Sequence, residues 1–128
     1  MPVTLPSGLV IYNATPHPLN FALEDGKEVL TAPSDGVISA DPYNQEVKRG
    51  KRYVLMTVEY GEMEEGRRMI EEIRQVHPEA LIVGSVVAAQ AYPGEIVSPR
   101  PYRSNRYDKS NRLIQSNRFT VFTKKESA

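Results

Sequence analysis

Six consecutive residues, Asn13-Ala14-Thr15-Pro16-His17-Pro18, carry the densest chemistry in this chain. An amide, a hydroxyl and an imidazole follow a short apolar run, and in open α/β sheets ligands sit beyond the carboxyl ends of strands. An imidazole titrates near neutral pH, so His17 is a candidate general base or anion donor. In a hydrolase of a phosphorylated substrate it would be the catalytic group. The same residues also have a purely structural use, in which two prolines stiffen the loop while Asn13 and Thr15 bind their own backbone.

A second candidate is Gly84-Ser85, between an apolar run and a short helical stretch. Free N–H groups at a helix start attract anions, and glycine admits a ligand closely. Ser85 serves equally as a helix N-cap. The glycines and lysine of a Walker loop, a dinucleotide fingerprint or a nucleophile elbow are missing.

The third candidate is cationic. Arg100, Arg103, Arg106 and Arg112 are interleaved with Tyr102 and Tyr107, a mixture used by single-strand nucleic-acid binders. Residues 1–99 hold eight Lys and Arg against fourteen Asp and Glu, a net −6, whereas residues 100–128 hold eight against two, a net +6. The basic segment suits an acidic ligand or nucleic acid, with Arg103, Arg106, Tyr107 and Arg112 as contacts. It equally suits neutralisation of the acidic helix of its own domain or of a second subunit.

Cysteine is absent and the histidines are His17 and His77 alone, so neither a disulfide, a metal site nor a cofactor is expected. Residues 1–13 lack the charged start and apolar stretch of a signal peptide. No apolar run approaches the ~20 residues that span a bilayer. The expectation is therefore a cytoplasmic protein without membrane partners.

These candidates need positioning elements. Residues 9–12 read as a buried strand, residues 19–23 and 27–31 as a hairpin about Asp25-Gly26, and residues 37–39 as a further short strand. Residues 41–51 read as an exposed loop and residues 52–60 as a central strand. Residues 62–77 form an amphipathic helix, with Met63, Ile70, Ile73 and His77 on one face and Pro78 as its stop. The run at 80–84 then completes a βαβ unit with residues 52–60. Residues 85–91 form a short buried helix, residues 95–98 a further strand, and the basic segment a hairpin about residues 115–118. The fold class is thus α/β: one domain over residues 1–128, a mixed sheet with one βαβ unit, one long amphipathic helix and antiparallel hairpins. Residues 100–128 form an edge hairpin with a short disordered end.

The I-Y-N-A-T-P-H-P-L stretch, residues 11–19, resembles the N-x-T-P-H-x opening of a family of small, largely uncharacterised bacteriophage and archaeal-virus proteins. The likeness continues through Asp25-Gly26, the P-S-x-G segment at 33–36, the I-V-x-S-x-V-A-x-Q-A stretch at 82–91 and the closing V-x-P and R-Y-D at 97–108. Residues 62–77 have no counterpart in that pattern. The resemblance implies a virus-encoded accessory protein in the host cytoplasm and carries no activity with it. The expected function is non-enzymatic binding of a small anionic, nucleotide-like ligand or of a host protein, by a homo-oligomer. The ligand would meet Asn13, Thr15, His17, Gly84, Ser85, Arg100 and Arg103. Hydrolysis through His17 and nucleic-acid binding through the basic segment are the alternatives.

Overall fold

The strand expected at residues 9–12 finds its partner far along the chain. The computed structural model describes residues 1–23, 28–102 and 113–123. β1 (Val3–Thr4) lies antiparallel to β2 (Val10–Asn13), and β2 lies parallel to β7 (Ala80–Val83), with Asn13 opposite Val83. Both β2 and β7 are dense in β-branched residues, as strands flanked on both faces are. A second sheet has the order β4-β3-β9-β8. In it β3 (Leu19–Ala22) and β4 (Val29–Ala32) make the expected hairpin, whose Asp25-Gly26 turn lies outside the described residues. β9 (Ile114–Thr120) runs parallel to β3 and antiparallel to β8 (Ser98–Pro101). Pro99 and Pro101 stand on that edge strand, where an absent N–H blunts further pairing.

Two apolar clusters join these layers. Ile11, Phe21, Ala32, Val83 and Val97 pack between the sheets, and Phe119 meets Phe21 edge-on with ring centroids 6.4 Å apart. Ile38, Ile70, Ile73, Ile82, Ala88 and Ile96 pack with Tyr92 beneath α1 (Glu64–Val76). Each fully buried Ile or Phe contributes on the order of 2 kcal/mol. Gly66 lets the helix lie close, because a Cβ there would run into the Tyr92 ring and hydroxyl.

Tyr92 is fully buried, and its hydroxyl ties three segments together. It accepts the Met63 N–H at 2.8 Å and directs its own proton at the carbonyls of Met63 and Ser39, 3.1 and 3.3 Å away. Arg67 lies over its ring, 5.7 Å from the centroid, and donates to both Glu95 oxygens at 2.8 and 2.6 Å and to Glu62. Arg74 joins Glu95 at 3.0 Å. The hydrogen bond from Arg67 holds the Glu95 carboxyl below its ordinary pKa, against the opposing effect of burial, and the same contacts raise that of Arg67.

The mixed α/β class is as expected, and several assignments within it change. The parallel crossover through α1 starts from β2, not from residues 52–60. Those residues instead form β6 (Val54–Gly61), and residues 41–51, expected as a loop, supply β5 (Asp41–Arg49). Among the described residues β5 and β6 pair only with each other, from Asp41 opposite Gly61 to Arg49 opposite Val54, with a bulge at Val47. Residues 37–39 form no strand, and the strand expected at 95–98 begins at Ser98. Finally, β9 passes straight through the turn expected at 115–118. It is an inner strand bonded on both edges, and Gln115 donates its amide to the Pro101 carbonyl at 3.2 Å. α2 (Val86–Ala91) follows the expected path.

Candidate functional site

The carboxyl ends of β2 and β7 lie side by side, so the structure does bring the Asn13 loop next to Gly84. Its polar groups, however, bond one another. Asn13 is wholly buried and donates its amide to the carbonyls of His17 and Ala32, at 2.8 and 3.0 Å. Its side-chain oxygen accepts from the Thr15 N–H at 3.0 Å and the Thr15 hydroxyl at 2.7 Å. That hydroxyl also lies 2.9 Å from the His17 carbonyl, and Ser34 donates to the Thr15 carbonyl. Asp35 accepts the Asn13 N–H at 2.8 Å and pairs with the Met1 ammonium at 3.1 Å. Its own N–H bonds the Asn13 carbonyl at 2.8 Å. Burial pushes the neighbouring Tyr12 hydroxyl to a higher pKa, helped by Asp35 and Glu72. The N-x-T-P-H motif is thus a strapped turn, to which His17 contributes backbone groups while the residue itself is exposed.

The second candidate resolves in the same way. Gly84 is buried, and a Cβ there would come within 2.7 Å of Ile96 Cγ2, so close packing of its own chain accounts for the glycine. Ser85 accepts the Ala88 N–H at 3.1 Å as the N-cap of the six-residue α2. Arg100 donates to the Thr120 hydroxyl at 3.1 Å across β8 and β9. Arg103, Arg106, Tyr107 and Arg112 lie outside the described residues, as does the chain end at 124–128. Among the described residues no group of three or more His, Asp or Glu can hold a metal, and no buried side-chain nitrogen or oxygen lacks a partner. No helix among them is long and apolar enough to cross a membrane.

The prominent unsatisfied feature lies elsewhere. β5 and β6 form a two-stranded arm in which every residue from Asp41 to Glu59 is at least partly exposed. At roughly 3.3 Å per residue, the eight residues of β6 carry its tip about 25 Å from its root. Alternation along β6 places Val54, Met56, Val58 and Tyr60 on one face. Val54, Met56 and Val58 are 38%, 51% and 48% exposed, while Tyr60 packs on the Tyr92 cluster. On the opposite face the Tyr43 ring covers Gly61. An open groove of about 710 Å³ sits at the root, lined by Val58, Tyr60, Ala91, Pro93 and Phe122. At the tip, Lys48, Arg49, Lys51 and Arg52 gather, with Arg49 bonded to Glu46 at 2.8 Å. Half of the cations in residues 1–99 therefore stand at the tip of one hairpin.

The chain matches no protein-family model, no curated protein and no solved structure. The viral resemblance accordingly rests on its short motifs, and the arm has to be read from its own physics. An isolated two-stranded ribbon is marginal in water, and large apolar residues in a row mark a surface made to be covered. Sequence reasoning missed the arm because its first strand carries no apolar alternation. The dense apolar run of β6, which read as a central strand, was the signal that something must cover it.

Proposed function

We propose that this chain is a non-enzymatic accessory protein, virus-encoded as the resemblance implies, that works by docking a protein through the β5–β6 arm. The exposed row Val54-Met56-Val58, running from the tip into a groove at the root lined by apolar side chains and by Glu59 and Glu62, carries this reading. Binding of a small anion at the Asn13 loop would require Asn13, Thr15 and Ser85 to give up bonds they already make. Hydrolysis through His17 has the added difficulty that no acidic side chain is bonded to it among the described residues.

The test places a photo-crosslinking amino acid at Val58 on the arm or at Thr4, an exposed residue of the body, in the cells that naturally make the protein. A discrete protein adduct from position 58 and none from position 4 is the expected result. No adduct, or the same adducts from both positions, refutes docking through the arm.

The four tip cations favour one other reading, contact with nucleic acid. The tip is separated from the acidic body by about 25 Å, three Debye lengths at physiological salt. Three or four neutralised phosphates would give duplex affinity a log–log salt slope of about −3, reduced to between about −1 and −2 on replacing Lys51 and Arg52 by Ala. Salt-insensitive binding, or binding unaffected by those changes, rules it out.

A further inference from the structure

We propose that the arm captures an extended peptide segment of alternating apolar and basic residues, which adds to the free edge of β6 as a third strand inside the root groove. This rests on the reading of the arm as a docking element, and adds the mode of binding and the chemistry of the partner.

The groove follows an edge of the arm and does not lie over one of its faces. Residues 58–62 line it consecutively, and no residue of β5 does. Successive side chains of a strand turn to opposite faces, so a hollow lined by both sets from one strand and by nothing from its neighbour runs along that strand's open side. Every second residue of an antiparallel strand turns its N–H and C=O away from its partner. Among the described residues β6 pairs with β5 alone and makes no other backbone hydrogen bond, so these outward groups face the groove unpaired. Across the groove stand Gln90, Ala91 and Pro93, at the end of α2 and just after it, with Phe122 beyond the end of β9. A strand edge facing such a wall captures an extended segment by strand addition, in which main-chain bonds give affinity and alternate side chains give specificity.

Side chains set the sequence that fits. An added strand places its residues beside those of β6, where apolar pairs and opposite charges attract. Val58 and Tyr60 lie on one face and Glu59 on the other, and Ala91, Pro93 and Phe122 extend the apolar lining. Glu59 is exposed and has no ion-pair partner among the described residues, while Glu62 at the groove's end is bonded to Arg67. The complementary segment therefore carries β-branched or aromatic residues beside Val58 and Tyr60 and Lys or Arg beside Glu59. The edge from Val58 to Gly61, about 13 Å long, takes four residues of it.

The test pans a random heptapeptide phage library against the immobilised full chain and against its Glu59→Lys variant. Enriched peptides are then followed by fluorescence anisotropy and by NMR amide exchange. They should alternate apolar residues with Lys or Arg and bind Glu59→Lys at least tenfold more weakly, while the exposed position leaves the variant's circular dichroism spectrum unchanged. Methylating one alternate set of peptide backbone nitrogens, and not the other, should cost at least tenfold in affinity. Bound peptide should slow the exchange of alternate amides within residues 58–61. No enrichment over a blank support, equal binding to Glu59→Lys, or indifference to methylation of either set overturns strand addition. Enriched sequences that match residues 124–128 or another stretch of this chain assign the groove to the chain itself and overturn a separate partner. A Val58 adduct in cells without peptide enrichment overturns this inference while leaving docking through the arm intact.

Discussion

Replacing Asn13 by Ala separates a strapped turn from a ligand site. The side chain is wholly buried and takes part in four hydrogen bonds, two given to the carbonyls of His17 and Ala32 and two received from Thr15. Each such bond contributes about 1 kcal/mol net, and deletion leaves the buried Ala32 carbonyl and the Thr15 N–H short of a partner. The cost is therefore about 4 kcal/mol, a large share of the roughly 5–15 kcal/mol by which a domain is stable. For a chain of this length the melting temperature should fall by something on the order of 10–20 °C. Urea titration followed by tyrosine fluorescence gives the free energy, and calorimetry the temperature. A ligand-binding amide would instead be released by truncation at little cost. A loss below about 1 kcal/mol would therefore refute the strapped-turn reading and return Asn13 to the list of binding residues.

Three further outcomes follow from contacts elsewhere. His17→Ala should leave stability within about 0.5 kcal/mol, because the turn uses its backbone and the residue is exposed; a larger loss in the same titration contradicts that assignment. Gly66→Ala should destabilise by about 1–3 kcal/mol through its collision with Tyr92, outweighing the better helix propensity of alanine, and a stabilised variant would show that α1 can shift aside. Arg67→Ala should cost about 1 kcal/mol, a figure kept small because the pair is partly exposed to solvent. Since Arg67 depresses the Glu95 pKa, its stabilisation is present above the ordinary carboxylate range and is lost as pH falls through the lower folded-state value. Wild type and Arg67→Ala should accordingly converge in stability under acid, and a constant difference from pH 7 downward would contradict the pairing.

The parts of the fold legible in the sequence are those whose patterns face one core. The periodicity of residues 62–77 marked α1 because Ile70 and Ile73 turn one face inward, and Ser85 was readable as a cap because the requirement is local. The pairing of β2 with β7 was not legible, since two short apolar runs advertise burial without naming a partner. β5 left no period-two signal because neither of its faces is buried, so Pro42, Asn44 and Gln45 read as loop. The Asn13 cluster stood out correctly as unusual. Whether its groups were free depended on the Ala32 carbonyl and on Asp35, which sequence distance conceals.

The Tyr92 hydroxyl has a mechanical consequence. Ser39, whose carbonyl it holds, lies two residues before β5 begins, and Met63, which it holds on the other side, lies two residues after β6 ends. One phenol therefore clamps both legs of the hairpin where they enter the body, and the arm behaves as a cantilever with a fixed root. A transverse load at the tip, with a lever of about 25 Å, becomes torque on that buried oxygen and on Tyr60 packed beside it. The direction in which the arm points is thereby set within the domain before anything touches it.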